Sequence, residues 1–426
     1  MSTKELNYAV KREKAVSCTS SRVSVPPSNG SSFSTGQSID LKLPSGMARG
    51  SYIDFQNSYV KISITATRAA DSANNDLKLP RNGIFNLFEK IELMSSSSTI
   101  STVDSYNKLL NVFLDSECSQ DFKASVGEVG YGMTNESTYG AVLTPAAGTG
   151  TKTTTYCVPL LLLSLFSSTK YIPAFHNDNL SIRLTLASRV GGFISGTGVT
   201  DANAAITINP VSMIYNIVRL SEQAQMMIDQ SCGGVYSLVL DDWQSTKYGT
   251  VQTGDRSVVA NLGFSHQSIS RIVFAFYLPE AAIADSNGTR VSRSVSEYCF
   301  QLNGQNHPAV KIKADFRTTS ENHSEILAEI RASTRRSADF QSASTIDSST
   351  MIDGAGGRSF FEIDLESLRS GDDGVYSGLY TVGANTSVSI DMNQDGATAA
   401  QLNIWGQFQG SLRLDTNTGN VFTYSV

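Results

Sequence analysis

Histidine and cysteine are scarce in this chain and widely scattered. The four histidines, His176, His266, His307 and His323, have no partner at helical spacing and none stands beside a cysteine, so no zinc-site spacing exists. The five cysteines, Cys18, Cys118, Cys157, Cys232 and Cys299, are odd in number and form no CxxC pair. That argues against a disulfide framework and for folding in a reducing compartment. Charge is also sparse: 17% of residues, with a net charge of −6, offer no broad attraction for nucleic acid or an anionic membrane. Long apolar runs are missing. The longest, Val158 to Phe166, is broken by Pro159 and Ser164 and is too short to span a bilayer. At the N-terminus, Lys11, Arg12 and Lys14 interrupt the chain before a secretory apolar core develops. The expectation is a soluble chain made in a cytosol-like compartment.

What is present is short-period apolar alternation set in polar, uncharged text. A length of 426 residues exceeds what one core usually serves, so two domains are expected. Ile39, Leu41 and Leu43 alternate, as do Val60, Ile62 and Ile64, and Leu180 to Leu186 alternates cleanly. Ile84 to Met94 reads as another strand, and Ile269 to Leu278 is strongly apolar. Asn303-Gly304, between Tyr298–Leu302 and Val310–Ile312, is a hairpin signal. Ser101 to Glu117 changes to a helical period through Val103, Tyr106, Leu110 and Phe113, with Thr102 or Asp104 able to cap it. Asn322 to Glu325 reads as a capping box opening a second helix. Near the midpoint, Ser221 and Glu222 open a short helix with Ala224, Met227 and Ile228 on one face, and Gly233-Gly234 stops it.

Short strands without βαβ alternation predict an all-β chain: two tandem eight-stranded antiparallel jelly-roll sandwiches with a few short helices. The expected layout is an N-terminal arm over 1–34, a first jelly roll over 35–220, a linker helix over 221–234 and a second jelly roll over 235–426. The arm carries a charge of about +3 as far as Arg22, too thin to condense a genome.

Reactive chemistry is hard to find. Gly354 to Arg358 is glycine-rich but lacks the Lys-Ser/Thr of a phosphate loop. Asp391, Asn393, Asp395 and Gly396 match the first half of a calcium loop, yet its closing position is Leu402, so a turn is expected. Trp243 and Trp405 could serve as sugar-stacking platforms and Asp241/Asp242 as a carboxylate pair. Adjacent strand residues point to opposite faces, which speaks against such a pair. No catalytic, cofactor-binding or metal-ligating residue is assigned, and no enzyme activity or cofactor is expected.

Several stretches, taken in order, resemble the double jelly-roll major capsid proteins of tailless icosahedral DNA viruses: membrane-containing phages, polinton-like viruses, virophages and nucleocytoplasmic large DNA viruses. They are Gly50 to Val60, Asn86 to Leu93 with Asp104 to Leu110, Val158 to Leu161 with Lys170 to Pro173, and Tyr215 to Ile228. Phe300 to Gly304, His307-Pro308 and Ser377 to Thr381 continue the series. The resemblance covers most of residues 36–426 and leaves out the arm. It implies a structural capsid protein of the virion, synthesised in the host cell. It implies pseudo-hexagonal homotrimers that meet neighbouring capsomers, penton and minor capsid proteins, and an internal membrane reached by the arm. No sequence-specific nucleic acid binding follows from it.

Two other readings remain at this stage: a single-jelly-roll capsid protein with a projecting domain, and a carbohydrate-binding or glycan-cleaving β-sandwich. The long polar stretches Gln120–Thr155, Val190–Ala205, Ala281–Ser296 and Ser337–Arg358 are expected to form the outward, host-facing surface. Because Leu402 leaves the Asp391–Asp395 loop open, EDTA should not lower the melting temperature. A calcium-dependent rise abolished by Asp395→Ala would contradict this.

Overall fold

The computed structural model describes residues 17–68, 77–95, 98–134, 139–143, 150–167, 170–176, 180–188, 194–195, 204–278, 290–314, 324–333, 357–366, 378–392, 399–415 and 421–425. Eight principal strands build the first half: β1 Cys18–Val25, β2 Ser38–Lys42, β3 Ser51–Arg68, β4 Phe88–Ser95, β5 Ser98–Asp104, β6 Gly150–Val158, β7 Leu180–Leu186 and β8 Ala204–Leu220. They pair as two antiparallel sheets, β1-β8-β3-β6 and β2-β7-β4-β5. The second half supplies β9 Val235–Val251, β10 Ser257–Asn261, β11 Ile269–Tyr277, β12 Val295–Leu302, β13 Gln305–Lys313, β14 Phe361–Asp364, β15 Thr386–Met392 and β16 Ala400–Asp415. Its sheets are β9-β16-β11-β14 and β10-β15-β12-β13. Strand for strand, the second order is the first shifted by eight. Each half is a complete jelly roll, which sets aside the reading of one roll with a projecting domain.

Helices are few and placed alike. In the first half α1, Tyr106–Glu117, follows the fifth strand, with α2 Gln120–Ala124, α3 Val126–Tyr131 and the short α4 Ser164–Ser167 after it. Between the rolls lies α5, Glu222–Cys232, and α6, Ser324–Ser333, follows the fifth strand of the second roll. Ser221 caps α5 by accepting from the Ala224 N–H at 3.4 Å, and Gly233 closes it in the left-handed region at φ 58°.

Alternation explains the sheets. In β7, Leu180, Ile182, Leu184 and Leu186 are buried while Ser181, Arg183 and Thr185 are half-buried. In β3, Val60, Ile62, Ile64 and Ala66 point into the same core. The opposite face of β3 pairs hydroxyls with β6: Ser63 with Thr155 at 2.7 Å, Thr65 with Thr153 at 2.9 Å and Thr67 with Thr151 at 3.2 Å. One continuous apolar cluster runs through both rolls, and a smaller one of Tyr52, Tyr236 and Leu414 lies beneath α5. The Asn303-Gly304 hairpin forms as expected, both residues taking positive φ, 50° and 80°.

Several readings need correction. Residues 18–25, assigned to the arm, form β1 and pair along β8 from Cys18↔Leu220 to Val25↔Met213. Ser101–Asp104 belong to β5, and α1 starts only after Ser105, which is left-handed at φ 52° and makes no side-chain cap. Val103 satisfies a strand period as well as a helical one, and pairing with β4 decides it. Leu379 to Val382 makes a single bridge, Leu379 to Ile269, and no strand. On α5 the buried residue is Gln225, while Met227 is 71% exposed.

α6 rests on β14 through a buried acid. The Ser333 hydroxyl donates to Glu362 Oε2. Burial pushes the Glu362 carboxyl from 4.5 up to about 7; Arg271 and the Ser333 bond oppose the rise, and Glu117 and Asp364 add to it. A raised acid binds its proton more tightly in the folded state, so folding stability falls as pH rises from about 4.5 to about 7 and levels off above. Full expression of the shift corresponds to about 3 kcal/mol. Glu362→Gln should flatten that decline and raise the melting temperature at pH 8. Parallel melting curves for the two proteins from pH 4.5 to 8 would disagree.

Candidate functional site at the roll junction and the loop-bearing end

Register places the chain's connections at two opposite ends. At one end Arg68 of β3 pairs with Ala204 of β8 and with Gly150 of β6. The connections that leave β3, enter β6 and enter β8 therefore share that end. At the other end Ser51 pairs with Arg219, and Cys18 pairs with Leu220 beside α5. The second roll repeats this: Val251 pairs with Ala400 and Tyr277 with Gln401 at its loop end, while Val235 pairs with Asp415 at the strap end. An 18-residue strand such as β3 holds the ends roughly 55–60 Å apart at about 3.3 Å per residue. The residues that border the long polar stretches on the strand side, Gly150 of β6, Ala204 of β8, Tyr277 of β11 and Gly357 beside Arg290, fall at the end away from α5.

Those stretches are not merely surface. The first, Gln120–Thr155, contains α2, α3, the strand Tyr139–Val142 and most of β6. It sends Lys123 and Met133 into the interior, each fully buried. The third contributes Arg290, also fully buried. Most of 190–205 and 337–358 lies outside the described residues.

These buried cations meet Asp115 of α1 where the rolls join. Asp115 Oδ2 accepts from Arg81 Nη2 at 2.5 Å and from Arg290 Nη2 at 2.7 Å. Asp115 Oδ1 accepts from Lys123 Nζ at 2.7 Å and from Asn82 Nδ2 at 3.3 Å. Arg290 donates further to the carbonyls of Arg358 at 2.9 Å and Ser359 at 3.1 Å. Burial alone would push the Asp115 carboxyl up, but Arg81, Lys123, Arg290 and Arg358 together hold it well below the usual carboxylate range. Burial brings Arg81 down to about 10, against the pull of Asp115. Gly83, at φ +63°, lets the turn after Arg81 approach α3; a Cβ there would lie 2.1 Å from the Tyr131 carbonyl oxygen. Only glycine fits that contact.

Further bonds cross the junction. Ser101 Oγ donates to Asp242 Oδ1 at 2.7 Å, Tyr277 Oη to the Lys108 carbonyl at 2.8 Å, and Trp405 Nε1 to the Asp104 carbonyl at 3.2 Å. Phe113 of α1 meets Trp243 edge-on at 5.3 Å, and the Arg271 guanidinium lies over both rings, at 4.7 and 5.2 Å. Trp243 is 3% exposed and Trp405 fully buried, so neither is available to stack on a sugar. Asp242 is buried while Asp241 is half-buried, which separates the supposed carboxylate pair.

Among the described residues the histidines do not converge. His266 stacks on Phe408 at 3.8 Å and bonds Gln244 Oε1 at 2.5 Å; burial lowers its pKa to about 4. His307 lies beside Phe300, His176 closes a short 3-10 turn, and His323 is outside the described residues. Asn393 and Asp395 of the calcium-like loop are also outside; Asp391 accepts from Lys311 Nζ at 2.5 Å. Among the described residues no group of three or more His, Cys, Asp or Glu could hold a metal ion. None of the five cysteines is in a disulfide.

No protein-family model and no curated protein matches the chain. Solved structures do match, end to end. PBCV-1 VP54, as fitted into a reconstruction of the virophage Sputnik, superposes with a TM-score of 0.62 at 14% identity, over 96% of this chain and 98% of that one. The Faustovirus major capsid protein gives 0.58 at 10% identity over 93% and 90%, and the mavirus major capsid protein 0.56 at 10% over 95% and 90%. The fold is the double jelly roll. In this double jelly roll the strand order repeats between halves. The Asp115 cluster escaped the sequence reading because its partners lie 34, 8 and 175 residues away.

Asp115→Asn should strand three buried cations and cost about 3–5 kcal/mol of stability. Since a depressed acid stabilises above its unfolded pKa, the wild-type contribution persists at every pH above about 4 and is lost only in stronger acid. Urea midpoints measured at pH 5 and 7 should drop by similar amounts. A variant within 1 kcal/mol of wild type would show that the cluster does not hold the rolls together.

Proposed function

We propose that this chain is a major capsid protein that forms homotrimeric, pseudo-hexagonal capsomers and assembles them into an icosahedral viral shell. The observation that carries this reading is the match of a twofold-repeated jelly roll to three viral capsid proteins over 93–96% of this chain. The chemistry at the junction agrees with it: buried charges and aromatic contacts fix the two rolls against each other. The protein's work is surface presentation, so no catalytic residue, metal or cofactor is assigned.

The two ends give the proposed orientation. The end carrying the long polar connections faces outward, towards the host. The strap end, with α5 and the residues before β1, faces inward, where minor capsid proteins and any internal membrane would lie. Six jelly rolls per trimer give the hexagonal outline, while the unlike insertions of the two halves leave threefold symmetry on top. The functional units are a first roll opening at β1, the strap 221–234 and a second roll from β9 onward, with residues 1–16 preceding the first roll.

Light scattering should give three times the chain mass of 45.8 kDa, and micrographs of assembled material should show hexagonally packed capsomers. A folded protein that stays monomeric at high concentration would refute the reading. On assembled particles, protease should cut within 135–149, 190–203, 279–289 and 334–356 before it reaches residues 1–16. The reverse order would invert the orientation.

A further inference from the structure

An apolar groove of about 420 Å³ opens at the strap end, where the two rolls and α5 meet. The first roll lines it with Tyr52, Tyr171 and Leu220, the second with Leu238, and α5 with Ile228 and Cys232. Tyr171 is 47% exposed and Leu220 and Ile228 are half-buried, so apolar surface from three elements stands open to water. A gap of this size accommodates several side chains.

The chain itself supplies an occupant. The Ser17 carbonyl accepts from the Ser221 N–H at 3.0 Å, at the N-cap of α5, and Cys18 pairs with Leu220, a groove residue. The sixteen residues before Ser17 therefore enter the fold at the groove's edge. They read MSTKELNYAVKREKAV, with Leu6, Tyr8 and Val10 as the apolar group and Lys11, Arg12 and Lys14 between it and the fold. Six residues, from Lys11 to Val16, reach at most about 20 Å, ample to bring Val10 over a groove that begins at Leu220. Glu222, exposed next to Ser221, is an acid at the point where this basic stretch departs.

We propose that residues 1–16 fold back onto this groove of their own chain, with Leu6 and Val10 seated against Leu220, Ile228 and Tyr171. The segment then covers the apolar surface of the groove. This inference stands on the groove and the exit point and does not depend on a capsid role.

Cys232 in the groove wall allows a direct test on the full-length, unassembled protein. Exposed Cys18 is first replaced by serine, and Val10→Cys or, as a control, Thr3→Cys is added. Mild oxidation should join the thiol introduced at position 10 to Cys232 within one chain, at least fivefold faster than the control, as read by peptide mass mapping. Equal rates for the two positions, or bonds that join two chains, would overturn the proposal. Independently, Leu6→Ser with Val10→Ser should speed maleimide labelling of Cys232 about tenfold without changing the far-ultraviolet spectrum. Unchanged labelling would overturn it as well.

Discussion

One buried carboxylate, Asp115, sits where the two rolls meet, and the arrangement of the molecule depends on it. Three cations converge on it from the turn before β4, from α2 and from the second roll. All four groups are out of contact with water, so any one left alone would bear a large desolvation penalty. That penalty makes the junction a geometric specification. A slide of one roll against the other would separate charges in a low-dielectric interior, whereas the aromatic contacts of Phe113, Trp243 and Trp405 could tolerate some repacking.

The second constraint is repetition. Two copies of one strand order, each with a helix after its fifth strand, leave equivalent walls facing in different directions. Among the described residues the copies differ in their connections, in the short sheet formed by Leu77–Pro80, Tyr139–Val142 and Ile194–Ser195 in the first half, and in the strand Val421–Ser425 that pairs with β16 in the second. A common frame with divergent rims lets one chain present two unlike surfaces at nearly equal height.

Much of the frame was legible in the sequence because it is written in local periods. Leu180–Leu186 alternates with no ambiguity, Asn303-Gly304 demands a tight turn, and Ser221 with Gly233 brackets a helix. β1 was not legible: only Val23 and Val25 in CTSSRVSV are apolar, and five of its first residues are exposed. It joins the sheet by backbone bonding to β8, which leaves no side-chain pattern. On α5 the apolar spacing misled, since Gln225 is buried to accept from Tyr52 Oη at 2.8 Å and to donate to Tyr236 Oη at 3.1 Å and Asp229 Oδ1 at 2.8 Å. Polar networks of that kind, like the Asp115 cluster, join residues distant in sequence and have no period to read.

The long central strands carry a mechanical consequence. β3 and β8 lie side by side almost from one end of the first roll to the other, as β9 and β16 do in the second. Tension between a contact gripping the loop end and another gripping the strap end acts along these strands. The ladder bonds between them are then loaded together in shear, and none can open ahead of its neighbours as in a zipper. Rupture under force is governed by the unfolding barrier and not by equilibrium stability. The molecule should therefore resist stretching along its height far better than peeling at a sheet edge.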